Sequence, residues 1–198
     1  MKFECAPVIL EGIVTTTNDD GTTNISPMGP EVQPDMRRLV LKPFCSSTTY
    51  RNLKRVAEGV FHVTDDVELL ARAAVGKLEP QPELIDARSV RGRILADACR
   101  WYAFRVVELD DSAARARIVA DVVDSGQIRD FFGFNRAKHA VVEAAILATR
   151  IGLLPAEHIA AELLRLGELV EKTGGPQERR AFDFLEEFVR GASSDQSH

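Results

Sequence analysis

The sequence predicts an α+β fold, with strands dominating to about residue 124 and helices following. Three observations predict it. Runs of β-branched and apolar residues, punctuated by Asp, Pro and Gly, fill the first part of the chain. After Gly133 the apolar residues recur at helical spacing. The two kinds of element are segregated rather than alternating, and neither a GxGxxG nor a Walker loop is present, which removes the two common nucleotide-binding folds.

Val8 to Thr17 (VILEGIVTTT) suits a largely buried strand. Asn18-Asp19-Asp20-Gly21 follows, and Asp-Gly between strand-like runs signals a hairpin because such a turn needs positive φ. Thr22 to Met28 is the return strand, stopped by Pro27, Gly29 and Pro30, and Met36 to Leu41 is a third, ended by Pro43. Ser46 to Thr49 offers several N-caps for a helix with the face Tyr50, Leu53 and Ala57, closed by Gly59 at C′. Val60 to Val63 is a short strand. Asp65 can cap a helix with the stripe Val67, Leu70, Ala71 and Ala74, closed by Gly76. Residues 77–99 carry no clear pattern beyond a Pro-rich loop.

Trp101 to Leu109 is an aromatic, β-branched strand, and Asp110-Asp111-Ser112 turns the chain. In the strand after it, Ala116, Ile118, Ala120 and Val122 alternate with Arg115, Arg117 and Asp121, as in an antiparallel sheet with one wet face. His139 to Ile151 is apolar nearly all round and reads as a buried helix. Pro155 suits a helix N1 position, and Ile159, Leu163, Leu166 and Val170 form the stripe behind it. Gly174-Gly175-Pro176 breaks the chain before a last helix with the face Phe182, Leu185 and Val189 and Gly191 behind it.

A chain of 198 residues with 45% apolar and 28% charged residues has no need of metal or disulfide staples. Its net charge of -5 argues against nucleic acid as a partner, because phosphate neutralisation supplies most of that affinity. Cys5, Cys45 and Cys99 are sparse and form no zinc pattern, so a reducing compartment is the simplest reading. The start MKFECAPVILEG is too short in its apolar run for a signal segment, and no apolar stretch of about 18 residues occurs, which points to a cytoplasmic protein with no membrane span.

Three constellations could carry chemistry. TTTNDDGTTNISPMG (residues 15–29) is a hairpin whose broken edge would leave backbone groups of Asn24, Ser26 and Met28 for a planar heterocycle; a bulged hairpin without ligand explains the same residues. KPFCSSTTYRN (42–52) brings several hydroxyls to a helix N-terminus, where free N–H groups and the dipole favour an anion, with Lys42 and Arg51 adding charge. Plain capping needs only one of those hydroxyls. GFNRAKH (133–139) places Arg136, Lys138 and His139 against a helix dipole, a cost that a bound anion would offset; an exposed basic turn is the alternative. His62 and His158 stand alone and read as packing or surface residues, and no Ser-His-Asp or Cys-His arrangement is visible.

Taken in order, TTTNDDGTTNISPMG, KPFCSSTTYRNL, GVFHVTDD and GFNRAKHAVVEAAILATR resemble an uncharacterised family of FMN-binding split-barrel proteins, related in fold to flavin reductases and pyridoxamine-phosphate oxidases. The resemblance runs from about Val8 to Arg150. It implies an antiparallel split β-barrel of the FMN-binding type over residues 1–130, a helical C-terminal subdomain over 131–192 and a disordered tail over 193–198. It implies a homodimer that binds FMN and works with a small-molecule electron donor or acceptor. It places Asn24, Ile25, Ser26, Met28 and Gly29 along the isoalloxazine and ribityl chain, and Ser47, Thr48, Thr49 and Asn52 on the phosphate. Lys42 is a further phosphate ligand on this view, and Arg136 and Lys138 approach the flavin or a substrate. The family supplies no reaction. An electron-transferring oxidoreductase comes first, followed by a non-enzymatic flavin carrier or sensor, and then an interaction protein that has lost the cofactor.

Overall fold

The computed structural model describes residues 7–195, so Cys5 and residues 196–198 of the expected tail lie outside the described residues. The described residues form ten strands and five helices, in the order β1 (Val8–Ile9), β2 (Gly12–Thr17), β3 (Thr23–Met28), β4 (Glu31–Val32), β5 (Arg38–Leu41), α1 (Thr48–Val56), β6 (Glu58–Val63), α2 (Val67–Ala74), β7 (Leu84–Asp86), β8 (Arg93–Leu95), β9 (Arg100–Asp110), β10 (Arg117–Gln127), α3 (Arg136–Ala148), α4 (Ala156–Thr173) and α5 (Pro176–Asp195). They fall into two compact units. One contains the described residues up to Thr64 together with Pro82–Phe131; the other contains Asp65–Gln81 and the described residues from Phe132 onward. The segment carrying α2, which the sequence reading kept within the barrel, thus groups with the C-terminal helices.

The first unit is a curled antiparallel half-barrel of eight strands in the order β1-β4-β5-β10-β9-β6-β2-β3. This is the split-barrel α+β fold expected from the sequence. β9 and β10 are long, and their pairing shifts register between Val119 and Ala120 and again between Val122 and Asp124. Bulges of that kind bend a strand and increase its twist, which is what curls a sheet. Val14, Leu39, Leu41, Phe61, Phe104 and Ile118 fill the interior, and Leu53 and Tyr50 of α1 pack against them. Tyr50 also donates its hydroxyl to Asp111 Oδ2 at 2.6 Å, and Lys54 Nζ reaches the same oxygen at 2.7 Å, so α1 is fastened to the β9–β10 turn. The hydrogen bonds from Lys54 and Tyr50 hold the Asp111 carboxyl below its usual range.

Several local expectations are corrected. Val8 to Thr17 is two strands, since β1 pairs with β4 while β2 pairs with β3 and β6. Gly59 does not close α1. Ala57 takes the left-handed position with φ 58. Gly59 lies in β6, where a Cβ would come within 2.7 Å of the Phe104 ring and 3.1 Å of the Thr15 carbonyl. Asp66, not Asp65, caps α2 by accepting from Leu69 N at 2.9 Å. Pro155 is the N-cap of α4, one place before N1, and α5 continues past Gly191 to Asp195. Residues 77–99 include the small hairpin β7–β8.

The second unit packs α2, α3, α4 and α5 around Ala137, Val141, Ala144, Leu163, Leu166, Phe182 and Leu185. The alanines of α3 allow close approach of its neighbours. The helix is not buried all round, because Arg136, His139 and Glu143 remain exposed on one face. No helix among the described residues is long and apolar enough to cross a membrane.

His62 is fully buried in β6. Its Nδ1 faces the Ile13 carbonyl at 3.2 Å, and its Nε2 accepts from Leu95 N at 3.1 Å, which together fix the neutral Nδ1–H form. Burial pushes its pKa down to about 4 from an ordinary 6.5, against the opposing pull of the Ile13 carbonyl. The unfolded chain therefore binds the extra proton first. Stability should decline as pH falls from about 6.5 towards 4, by up to about 3 kcal/mol. Urea unfolding at a series of pH values should show this slope in the native protein and its loss in His62→Gln; parallel slopes would refute it.

Candidate functional site

The site is built where the β2–β3 hairpin meets the start of α1. Asn18 N donates to Thr22 O at 2.9 Å and Gly21 N to Asn18 O at 3.1 Å, with Gly21 at φ 83. This closes a three-residue hairpin loop with glycine in the left-handed position. Stepping by two from Asn18 and Thr22, the hydrogen-bonded pairs of the ladder are Thr16 with Asn24, Val14 with Ser26 and Gly12 with Met28. Pro27 opposes Ile13, so its missing N–H falls outside the ladder.

β3 is an end strand of the sheet. Its open side therefore carries the backbone groups of Thr23, Ile25 and Pro27. This corrects the expectation for Asn24, Ser26 and Met28, whose backbone groups face β2. Their side chains share one face of the strand, because alternate residues point the same way. On that face Met28 packs against the barrel interior and Asn24 turns to α1. At Gly29 a Cβ would lie 2.8 Å from Ile9 Cγ2 and 3.0 Å from Glu11 Oε1, so a larger residue there would have to displace these two exposed side chains.

Two side-chain amides tie the hairpin to the helix. Asn24 Nδ2 donates to Thr16 Oγ1 at 3.2 Å and Thr49 Oγ1 at 3.1 Å. Asn52 Nδ2 donates to the same Thr16 oxygen at 3.0 Å and to Asn18 Oδ1 at 2.8 Å. Thr16, Thr49 and Asn52 are all buried. Thr16 and Asn18 are the members of this network that the sequence reading missed as individual residues. Their position in the hairpin opposite a hydroxyl-rich helix start was the available signal.

Three of the four hydroxyls at the helix start act as acceptors within the chain. Ser47 Oγ accepts from Tyr50 N at 3.2 Å, Thr48 Oγ1 from Arg51 Nη2 at 2.9 Å, and Thr49 Oγ1 from Asn24 Nδ2 at 3.1 Å. None of their three protons has an acceptor among the described residues. The N–H groups of Thr48 and Thr49, first in the helix, likewise have no partner there. The first turn of α1 holds no acidic residue. Arg51 donates to the Ser46 carbonyl at 2.6 Å and to Thr48, with no carboxylate opposite it among the described residues. This donor set, with the positive end of a helix and a guanidinium, suits a group that only accepts hydrogen bonds and carries negative charge.

The other expected site residues have partners or places of their own. Lys42 is paired with Glu31. Arg136 and Lys138 belong to the helical unit. Lys138 Nζ is largely buried and binds Glu178 Oε1 at 2.8 Å and the Asp65 carbonyl at 2.7 Å. Burial disfavours charge on Glu178, yet Lys138 and the Gly175 N–H outweigh it and hold that carboxyl below its usual range. Among the described residues no cluster of His, Cys, Asp or Glu could hold a metal ion.

The network predicts a stability effect. Asn52→Ala should destabilise the protein by about 2 kcal/mol, since two buried hydrogen bonds are lost. It should also speed hydrogen exchange at the tip of the β2–β3 hairpin. Unfolding and exchange measurements that match the native protein would show that Asn52 does not hold the hairpin.

The family model described as Protein of unknown function (DUF447) N-terminal domain matches residues 10–129, and its companion, Protein of unknown function (DUF447), matches residues 135–187. No curated protein sequence matches the chain. Among solved structures, an FMN-bound protein of Methanosarcina mazei assigned to the same family model is 26% identical, with a TM-score of 0.77, covering 92% of this chain and 96% of its own. The 2-nitrobenzoate 2-nitroreductase of Pseudomonas fluorescens is 15% identical, with a TM-score of 0.51, covering 63% of this chain and 66% of its own. The flavin reductase of styrene monooxygenase from Pseudomonas putida is 11% identical, with a TM-score of 0.51, covering 62% and 82%. The last two share the barrel fold with this chain.

Proposed function

The chain belongs to the DUF447 family of proteins of unknown function, and from that membership and the donors at the start of α1 we propose that it is an FMN-binding flavoprotein that transfers electrons. The observation that carries the proposal is the accounting of hydroxyl protons. Ser47, Thr48 and Thr49 each spend their oxygen inside the chain and keep an O–H to give away. A terminal phosphate accepts all three, with the Thr48 and Thr49 amides and the Arg51 guanidinium completing its shell. A dianion there also gains from the helix dipole.

Asn24 and Asn52 act one step back as positioning residues. They hold Thr49 and the hairpin in a fixed relation, so that a ligand gripped by its phosphate meets the open edge of β3 in one register. The Ile25 N–H and C=O and the Pro27 C=O are the groups on that edge suited to the rim of an isoalloxazine. FMN, when bound, supplies the hydride or electron transfer, which is the cofactor's own chemistry. Such transfer obliges the protein to provide neither an acid nor a base. The protein's share is to bind, to orient and to present hydrogen-bonding groups to the ring. We place it in the cytoplasm as a homodimer acting on a small-molecule donor or acceptor, with no nucleic acid involved.

Replacing Thr48 and Thr49 together by Val keeps the shape and removes two charge-assisted hydrogen bonds. FMN affinity, followed by quenching of flavin fluorescence, should fall about a hundredfold. Binding of riboflavin, which lacks the phosphate, should be weakened far less, by no more than the loss of the Asn24–Thr49 hydrogen bond accounts for. An unchanged FMN affinity would move the phosphate elsewhere. Bleaching of the bound flavin by NADH or NADPH tests the reductase reading, and a flavin that neither reduces favours a carrier.

A further inference from the structure

The helical unit contains a groove between α3 and α4 that the flavin does not require. Its volume is about 430 Å³, within the range of about 300–1,000 Å³ usual for small-molecule sites. Leu166 and Leu169 of α4, with Ala140 of α3, make an apolar floor. Phe134, just before α3, also lines the groove and is 95% exposed. Its ring lies 6.0 Å from that of His139 at an interplanar angle of 32°. A side chain so apolar and so exposed gains most by covering another flat apolar surface.

The charges of the groove are ordered. Arg136 sits at its start, where the first turn of α3 holds no acidic residue. No carboxylate pairs with Arg136 among the described residues, in contrast to Lys138 two residues on, which Glu178 neutralises. Arg165 also lines the groove but is taken by Glu162 at 2.9 Å. Glu143 stands seven residues along α3 from Arg136, also without an ion-pair partner among the described residues. Seven residues on one helix span about 10 Å. Along α3 a cation and a carboxylate, neither with an ion-pair partner among the described residues, thus stand about two turns apart on either side of Ala140, with Leu166 and Leu169 of α4 lining the same groove.

We infer that this groove binds an aromatic monocarboxylate, with its acid on Arg136, its ring between Phe134 and the leucine floor, and a hydrogen-bond donor such as an amino group facing Glu143. Glu143 repels a second anionic group at that end, so aromatic dicarboxylates are rejected. The site lies wholly within the helical unit and does not rest on the assignment of FMN.

The test uses the whole chain with FMN supplied and 4-aminobenzoate as the probe, titrated by calorimetry. Saturable binding is expected, and Arg136→Gln should weaken it about tenfold or more through loss of a charge-assisted bond. Arg150→Gln, an exposed arginine outside the groove, should leave it unchanged. Terephthalate, with a second carboxylate in place of the amine, should bind the native protein at least about tenfold more weakly, and Glu143→Gln should largely remove that difference. All three substitutions are at exposed positions and leave the core untouched. Absence of saturable binding at millimolar probe, an affinity that ignores Arg136, or release of FMN by the probe would each overturn the inference. A protein that fails to hold FMN but still shows the Arg136-dependent probe binding would refute the flavin proposal alone.

Discussion

One hydroxyl oxygen, Thr16 Oγ1, receives a hydrogen bond from both Asn24 and Asn52. It is buried near the end of β2, where a low dielectric strengthens both bonds. Through this point the return strand of the hairpin and the second turn of α1 become one rigid piece. Asn52 also reaches Asn18 at the hairpin loop, and Asn24 reaches Thr49 at the helix start. The relation between the open edge of β3 and the hydroxyls of α1 thus follows from four hydrogen bonds made by two amide groups. Neither the helix cap nor the hairpin turn would set that relation alone.

Pro27 imposes the complementary constraint. Proline can sit in an antiparallel strand only where its nitrogen faces away from the partner. Fixing Pro27 opposite Ile13 fixes every other residue of β3 by alternation. Asn24 is then obliged to point its side chain to the same face as Met28, towards the interior and α1. A shift of one residue would put the Pro27 nitrogen into the ladder and turn Asn24 away from Thr16 and Thr49. The register that satisfies the proline is the register that assembles the polar network.

Much of this was legible in the sequence, and what was missed has physical causes. Long periodic elements were clear, because burial of Ile159, Leu163, Leu166 and Val170 needs only the helical repeat. The hydroxyl-rich start of α1 was legible because four hydroxyls exceed what one cap uses. Which hydrogen bonds each would make was not, since Asn24 and Thr16 reach it through tertiary contacts. Gly59 looked like a helix terminator because glycine serves both turns and close approaches, and only the Phe104 ring in the structure separates the two. β4, β7 and β8 are two or three residues long, too short for any alternation to register. Asp65 and Asp66 differ by a single step at a helix boundary, where sequence resolves least. Lys138 looked like a free cation because its partner Glu178 lies forty residues away on another helix.

The two helix starts rich in polar residues resolve their electrostatics in opposite ways. At α3 a lysine lies in the first turn, against the dipole, and the chain answers it internally: Glu178 and the Asp65 carbonyl surround the ammonium and bury it. Around Lys138 that arrangement is complete, and burying both charges makes it a fastening between α3 and α5 rather than a receptor, while Arg136 two residues before it is left outside the pairing. The first turn of α1 holds no acid. The Ser47, Thr48 and Thr49 oxygens accept from internal donors, while their protons have no acceptor among the described residues, and Arg51 is held by the Ser46 carbonyl and the Thr48 hydroxyl with no carboxylate opposite it there. A start that is preorganised and electrostatically incomplete is one that an external anion can finish without rearrangement, which is the condition for strong binding at little entropic cost.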